Sequence, residues 1–197
     1  MDHLELHRTY LKGQWYLDHM TAKKKLINQN TGAWLYTNGH FTASYPTEKR
    51  SHVSDTLSAF CDDVGTPQCL KSDRAPELVG HTTPFLKLAR KQHIDLMYAE
   101  PEQVNQIHKV DIEMRELKKR CRNKMIHKNV PKRLWDFALV HTAKLMQFIP
   151  CPTLNNCTGY EEVTCQTPDI SEFLNFDFWD LVWYWPTKHP GLTADDR

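Results

Sequence analysis

The Asn38-Gly39 pair and the two segments beside it constrain the fold more than any other feature of the chain. Both segments, "TGAWLYT" and "HFTASYPT", contain the β-branched and aromatic residues that favour strands. Asn-Gly between two such segments is typical of a tight antiparallel hairpin. The preceding "GQWYLDHMTA" predicts one more strand. The chain is therefore expected to begin with an antiparallel meander of three strands.

Helices and strands alternate after this meander. Residues 51–65 predict a helix with Ser51 as its N-cap and Gly65 at its end, and 67–73 predict a fourth strand. Residues 82–92 predict a helix and 93–99 another strand. Because a helix between the third and fourth strands is a crossover, the fourth strand can pair in parallel with the meander. We expect an α/β fold with a mixed sheet flanked by helices.

Two long helices are predicted next, over 104–126 and 132–149. The apolar side of the second helix is expected to contain Leu134, Ala138, Val140, Leu145 and Met146. Beyond Pro150, the spacing of Phe176 and Phe178 and the run "LVW" at 181–183 predict one or two further strands.

Charge is unevenly distributed along a chain of 197 residues whose net charge is only +1. Between 104 and 133, ten Lys and Arg residues face three carboxylates, whereas from 151 onward eight acidic residues face two basic ones. This division indicates a basic face for polyanions and a separate acidic end. No apolar run approaches the roughly 18 residues of a membrane span, so no membrane partner is expected. The scattered cysteines, without a secretion signal, favour an intracellular protein with reduced thiols.

Three aspartates are expected to meet at one edge of the sheet. Asp18 lies in the first strand, Asp73 ends the fourth, and Asp111 lies early in the first long helix. If the first and fourth strands are neighbours and the helix crosses their ends, the three carboxylates converge. Hard divalent cations prefer such oxygen ligands, and two ions about 3.5–4 Å apart can catalyse phosphoryl transfer. Judged by spacing alone, the alternative to a metal site is that the three aspartates are solvated charges on the surface.

The sequence segments around these aspartates resemble those of a known protein family. "GQWYLDHM", "VGTPQCLKSDRAPELVG" and "EPEQVNQIHKVDIEMRELKKR" are similar to the segments with the three acidic ligands in the integrase catalytic core of copia-type LTR retrotransposons. "VPKRLWDFALVHTA" and "TGYEEVTCQTPDISEF" resemble the segments that follow. The likeness covers about residues 10–175. It implies the retroviral-integrase branch of the ribonuclease-H-like superfamily.

This resemblance implies an activity, a metal site and partners. The activity is metal-dependent DNA 3′-end processing and strand transfer in the nucleus, with two Mg²⁺ or Mn²⁺ ions held by Asp18, Asp73 and Asp111. The partners are element-end and target DNA, bound by a homo-oligomer. The domains would be a remnant over 1–10, the core over 11–150 and a truncated extension over 151–197. DNA contacts are expected from Arg74, Lys109, Arg115, Lys118, Lys119 and Arg122.

The chain departs from the family pattern at the third ligand and beside the second. Asp111 stands where the family has Glu, and its side chain is shorter by roughly 1.5 Å. Glu113 is excluded because two helical positions rotate a side chain by about 200°, whereas Glu100 or Glu102 could reach the site from the preceding loop. The remaining alternative is a site without a third ligand. Beside the second ligand, Arg74 stands where the family usually has Gly. Two alternatives therefore stay open: a catalytically inactive remnant that keeps the fold, and another ribonuclease-H-like nuclease.

Overall fold

A five-stranded mixed sheet with helices on both faces forms the body of the protein. The computed structural model describes residues 10–22, 27–80, 82–99 and 108–182, and for Lys109 and Glu172 it describes the backbone only. The strands are β1 (Tyr10–Thr21), β2 (Gly32–Thr37), β3 (Thr42–Thr47), β4 (Thr66–Ser72) and β5 (Asp95–Tyr98). Their order across the sheet is β3-β2-β1-β4-β5. β1, β2 and β3 pair antiparallel, while β4 pairs in parallel with both β1 and β5. The predicted mixed sheet is confirmed.

Seven α-helices lie in the described part of the chain: α1 (Val53–Asp63), α2 (Pro76–Val79), α3 (Pro84–Lys91), α4 (His108–His127), α5 (Trp135–Gln147), α6 (Gly159–Thr164) and α7 (Ser171–Asn175). Short 3-10 turns at Arg50–His52 and Lys132–Leu134 precede α1 and α5. In α4, no 18-residue window is apolar enough to cross a bilayer, and the other described helices are shorter than a span requires. The six cysteines are free thiols.

The alternation of side chains along β1 divides the core between the two faces. Trp15 and Leu17 of β1 pack with Phe60 of α1 and Phe85 of α3 on one face. Met20 of β1 belongs to a second cluster with side chains of α4 and α5. Because residues two apart on a strand share a face, Asp18 lies on the face of α4 and α5, beside Met20.

Two predictions about the helices are wrong. Ser51 does not cap α1, since the N-cap position is His52 and Ser51 lies inside the preceding 3-10 turn. Val140 is 42% exposed, and the buried face of α5 includes Leu139 instead, because two helical positions rotate Val140 by about 200° away from the buried Ala138.

The predicted strands after residue 170 are also wrong over the residues described. This stretch contains α7 and then a turn in which Trp179 adopts a positive φ. The alternation of Phe176 and Phe178 is too short to distinguish a strand from a helix end packed on a neighbour. Residues 183–197 lie outside the described residues, and the predicted domain boundaries stay predictions.

Candidate functional site

Asp18 and Asp73 lie side by side where β1 and β4 run in parallel. The register pairs Leu17 with Ser72, and each aspartate is the next residue of its chain. Neighbouring strands are about 4.8 Å apart, and residues at matching positions of parallel strands project on the same face. The predicted neighbourhood of the first and fourth strands is therefore confirmed. The backbones of Asp18 and Asp73 therefore lie next to each other at this edge, and the charge of Asp73 acts on Asp18.

The environment of Asp18 disfavours its negative charge. The side chain is half-buried, and its Oδ1 accepts a hydrogen bond of 2.6 Å from the backbone N–H of His19. Burial raises the pKa of Asp18; the His19 N–H opposes this, and the charges of Asp73 and Asp111 raise it further, while Lys118 lowers it. The charges of Asp73 and Asp111 thus both act on Asp18. A cation beside them would offset both the cost of burying a negative charge and the repulsion between the carboxylates.

Asp73 has one oxygen atom without a partner. Its Oδ1 is buried and has no hydrogen-bond partner among the residues that the structure describes. Its Oδ2 lies 3.8 Å from Nη2 of Arg50, whose Nε forms an ion pair with Oε1 of Glu77. Since a buried polar atom without a partner costs free energy, Oδ1 is suited to a ligand from outside the chain.

Asp111 reaches the site from the first turn of α4. Met114 and Leu117 of this helix are buried against Met20 and Leu35 of the sheet, which fixes how α4 crosses the strands. Glu113 points elsewhere, because one of its carboxylate oxygens accepts a hydrogen bond of 3.4 Å from Thr42 of β3. This agrees with its exclusion as a ligand. The alternatives Glu100 and Glu102 lie outside the described residues.

The carboxylates fit a divalent cation in a limited sense. Across the described part of the chain, no three His, Cys, Asp or Glu side chains are arranged to hold a metal ion. Mg²⁺, however, is commonly held by one or two carboxylates, with water and substrate phosphate completing its shell. Asp18 and Asp73 supply such a pair, and the unpartnered Oδ1 of Asp73 is a suitable ligand atom. The roles of Asp18, Asp73 and Asp111 as metal ligands stay predictions.

Basic side chains extend from the site along α4. Arg115, Lys118, Lys119 and Arg122 are exposed, and the positive charge of Lys118 acts on both Asp18 and His19. The side chain of Lys109 lies outside the described residues.

Arg74, directly after Asp73, is exposed, and its φ is not positive, so the Arg in place of Gly causes no backbone strain there. The predicted DNA-binding residues whose side chains are described can therefore all reach an external ligand.

Sequence reasoning missed Arg50, Glu77 and His19. Burial, followed by the charge of Arg50, lowers the pKa of His19 to about 4. At neutral pH its ring is uncharged, packed edge-on against Trp34 with the ring centroids 4.8 Å apart. No local pattern marks Arg50, because its contacts to Asp73 and Glu77 span more than 20 residues of chain.

Searches with protein-family models and among curated proteins find no match. Among solved structures, the chain is similar to the catalytic core domain of BIV integrase, with a TM-score of 0.57 and 18% identity over 76% of this chain and 92% of that one. It is also similar to the HTLV-2 integrase catalytic core in complex with magnesium, in a trimeric form, with a TM-score of 0.56 and 17% identity over 76% and 95% of the two chains.

The chain has the fold of a retroviral integrase catalytic core. A third similar structure is a simian T-cell lymphotropic virus intasome in complex with the PP2A regulatory subunit B56 gamma. Its TM-score is 0.62 and its identity 16%, over 92% of this chain and 59% of that one. At these identities the likeness establishes the fold alone, and the relation to copia-type elements stays a prediction.

Proposed function

We propose that the chain is the catalytic core of a copia-type retrotransposon integrase, a divalent-metal-dependent polynucleotidyl transferase that processes DNA 3′ ends and joins them to target DNA. The observation that supports this most directly is the placement of Asp18 and Asp73 directly after the residue pair at which the parallel pairing of β1 and β4 ends. The charge of Asp111 acts on the same place. An anionic cluster of this kind suits the metal chemistry of an integrase, in a fold that integrase cores share.

In this function, the residues of the chain divide into two sets. Asp18 and Asp73 would hold Mg²⁺ or Mn²⁺, with Asp111 as the third ligand. Two such ions, when bound, would supply activation of an attacking water or DNA 3′-hydroxyl and stabilisation of the leaving oxygen. Lys118 and the other exposed basic residues of α4 hold backbone phosphates and so orient the DNA against the carboxylates. We further propose that the protein acts on DNA as a homo-oligomer in the nucleus.

A second candidate function is DNA binding by a catalytically inactive core. Two observations favour it: Asp111 replaces the longer Glu, and no three described acidic, His or Cys side chains are arranged to hold a metal ion. A third candidate, a different ribonuclease-H-like nuclease, would cut DNA without joining it.

A strand-transfer assay separates these functions. The protein is incubated with Mn²⁺, a labelled duplex that has a recessed 3′ end, and a supercoiled plasmid as target. We expect labelled plasmid with the wild-type chain and none with Asp73→Asn. Asp95→Asn is the matched control, because the same chemical change falls three residue pairs from the edge, about 10 Å along β5.

Each outcome identifies one function. Binding of the duplex without cleavage or joining supports the inactive core, and cleavage without joining supports the nuclease. Joining that persists unchanged in Asp73→Asn contradicts the proposed site.

A further inference from the structure

Arg50 is held firmly at the edge of the candidate site. It lies in the 3-10 turn between β3 and α1, and its backbone oxygen accepts a hydrogen bond of 3.2 Å from Nε1 of Trp34. Its guanidinium also lies over the Trp34 ring, 5.9 Å from the centroid. Trp34 is fully buried in the core. The arginine therefore contacts one buried side chain with both its backbone and its charged group.

Glu77 keeps the guanidinium of Arg50 near Asp73. It forms an ion pair with Nε of Arg50, and its side chain is only 16% exposed, against 47% for Arg50. The contact is an ion pair without hydrogen-bond geometry, since Oε1 of Glu77 has no hydrogen-bond partner in the described part of the chain. It keeps the guanidinium beside Glu77, where Nη2 lies 3.8 Å from Oδ2 of Asp73.

The two oxygens of Asp73 are consequently unequal. Oδ2 faces the guanidinium, whereas Oδ1 is buried and has no hydrogen-bond partner in the described part of the chain. A carboxylate that is held on one side offers its other oxygen in a fixed direction. In metal sites, partners that hold the ligands in this way typically contribute 10- to 100-fold to metal affinity or activity.

We propose that Arg50, supported by Trp34 and Glu77, is a positioning residue that orients the Asp73 carboxylate for a divalent cation. This inference rests on the proposed function, since it assigns a role beside the same metal site. It differs from an ordinary surface ion pair, which contributes little and would leave metal binding unchanged. The burial of Glu77 and Trp34 is what separates the two interpretations.

Mn²⁺ binding to the full chain, followed by the electron paramagnetic resonance signal of free Mn²⁺, tests the role without requiring activity. We expect Arg50→Gln to weaken binding by about 10- to 100-fold. Arg50→Lys keeps the charge but loses the planar fork, so we expect a smaller loss, of about tenfold. The double variant Arg50→Gln/Glu77→Gln keeps the net charge and should bind as weakly as Arg50→Gln. Arg90→Gln, at an exposed position in the last turn of α3, is the matched control and should bind like wild type.

The sign of the change distinguishes positioning from charge alone. If Arg50 only repels the cation, Arg50→Gln binds Mn²⁺ more tightly and Arg50→Lys binds it like wild type; either result overturns the inference, as does unchanged binding in both. If Arg50→Gln does not fold, Arg50→Lys decides by the same criterion. Failure of the proposed function is separate: it shows as wild-type Mn²⁺ binding that is absent or insensitive to Asp73→Asn.

Discussion

The candidate site has a sheet side and a helix side, and the two are fixed by different forces. On the sheet side, Asp18 is paired with Leu35 in the β1–β2 ladder, and Asp73 directly follows the last β1–β4 pair, Leu17 with Ser72, so the register sets the backbone position of both. On the helix side, Asp111 depends on how α4 packs through Met114 and Leu117. Side-chain packing tolerates small shifts at a lower cost than the loss of paired backbone groups. The sheet therefore determines where the site is, and α4 determines how complete it is.

The largest expected effect is a difference in Mn²⁺ affinity between the two sides. Asp18→Asn should weaken binding by more than about 100-fold, beyond what loss of a supporting partner costs. Asp111→Asn should weaken it by only about tenfold, because the sheet pair still binds a cation. Titration of each variant with Mn²⁺ measures both. Equal losses would contradict the division into two sides.

The pH dependence sharpens the same comparison. Burial and the neighbouring carboxylates raise the pKa of Asp18, so in the acid range a proton competes with the metal. Wild-type affinity should therefore rise with pH into a range above the ordinary pKa of aspartate. In Asp111→Asn one repelling charge is gone, and this rise should begin at lower pH. A rise at unchanged pH would contradict the electrostatic link between the two residues.

Lengthening the side chain on the helix side should increase activity. Asp111→Glu adds one methylene, roughly 1.5 Å of reach, and misplacement of a reacting group by about 1 Å can cost on the order of 100-fold in rate. We expect strand transfer to rise by up to about that factor, measured under single-turnover conditions. Glu113→Asp makes the reverse change on the other flank of α4 and should leave the rate within about twofold. If Asp111→Glu and Asp111→Ala both match wild type, Asp111 has no catalytic part.

The sheet side could be predicted from the sequence, because its cause is local. The Asn38-Gly39 hairpin, the alternation in β1 and the crossover through α1 together determine strand order, and strand order determines which residues meet at the edge. The positions of Asp18 and Asp73 follow from that order. The Thr158-Gly159 pair, which resembles the family pattern, also has a local cause. Thr158 is the N-cap of α6 and forms a capping box with Glu161, in which each side chain accepts a hydrogen bond from the other residue's backbone N–H.

The remaining contacts could not be predicted, because their causes are distant in the chain. Arg50 meets Asp73 and Glu77 only after α1 and β4 have packed. Phe178 lies 5.2 Å from the ring of His141 on α5, measured between centroids, and this surface replaces the strand partner that its spacing predicted. A periodic pattern shows that a segment needs a partner surface, but not whether that partner is a strand or a helix.

Substitution of Gly32 on the sheet side should give the next largest effect, a loss of folding stability. A Cβ on Gly32 would collide with the backbone oxygen of Met20 and lie 2.7 Å from the His19 ring, directly beside Asp18. Gly32→Ala should lower the free energy of unfolding by about 1–3 kcal/mol, the usual cost of overpacking. Chemical denaturation measures it. Gly80→Ala is the control, because its Cβ would meet mainly the side chain of Thr83, which can move. Equal losses would show that the β1–β2 contact is not special.

The smallest effect concerns the far end of α4, where an acidic residue covers basic ones. Asp177 lies 2.7 Å from Nζ of Lys124 and 3.3 Å from Nζ of Lys128. In Asp177→Asn, Lys124 loses this partner and gains freedom to bind DNA phosphates, whereas Lys128 keeps an ion pair of 2.7 Å with Asp180. The slope of log affinity against log salt should therefore steepen by about 0.9, the contribution of one lysine. Fluorescence anisotropy with a duplex measures the slope. Glu116→Gln, which frees Arg120 from a pair within the same helix, serves as comparison.

The same contact has a pH signature with a defined sign. Partial burial would raise the pKa of Asp177, but Lys124, the N–H of Phe178 and Lys128 together lower it to about 2, from an ordinary value of 3.8. Because the folded-state pKa is the lower one, the contact stabilises the fold above the ordinary value and ceases to do so as pH falls through about 2. Wild type should therefore unfold at a slightly higher temperature than Asp177→Asn near neutral pH, and the two should converge near pH 2. If the difference in unfolding temperature persists near pH 2, Asp177 acts through packing and not through its charge. In that case side-chain packing fixes this end of α4, as it does the end near Asp111.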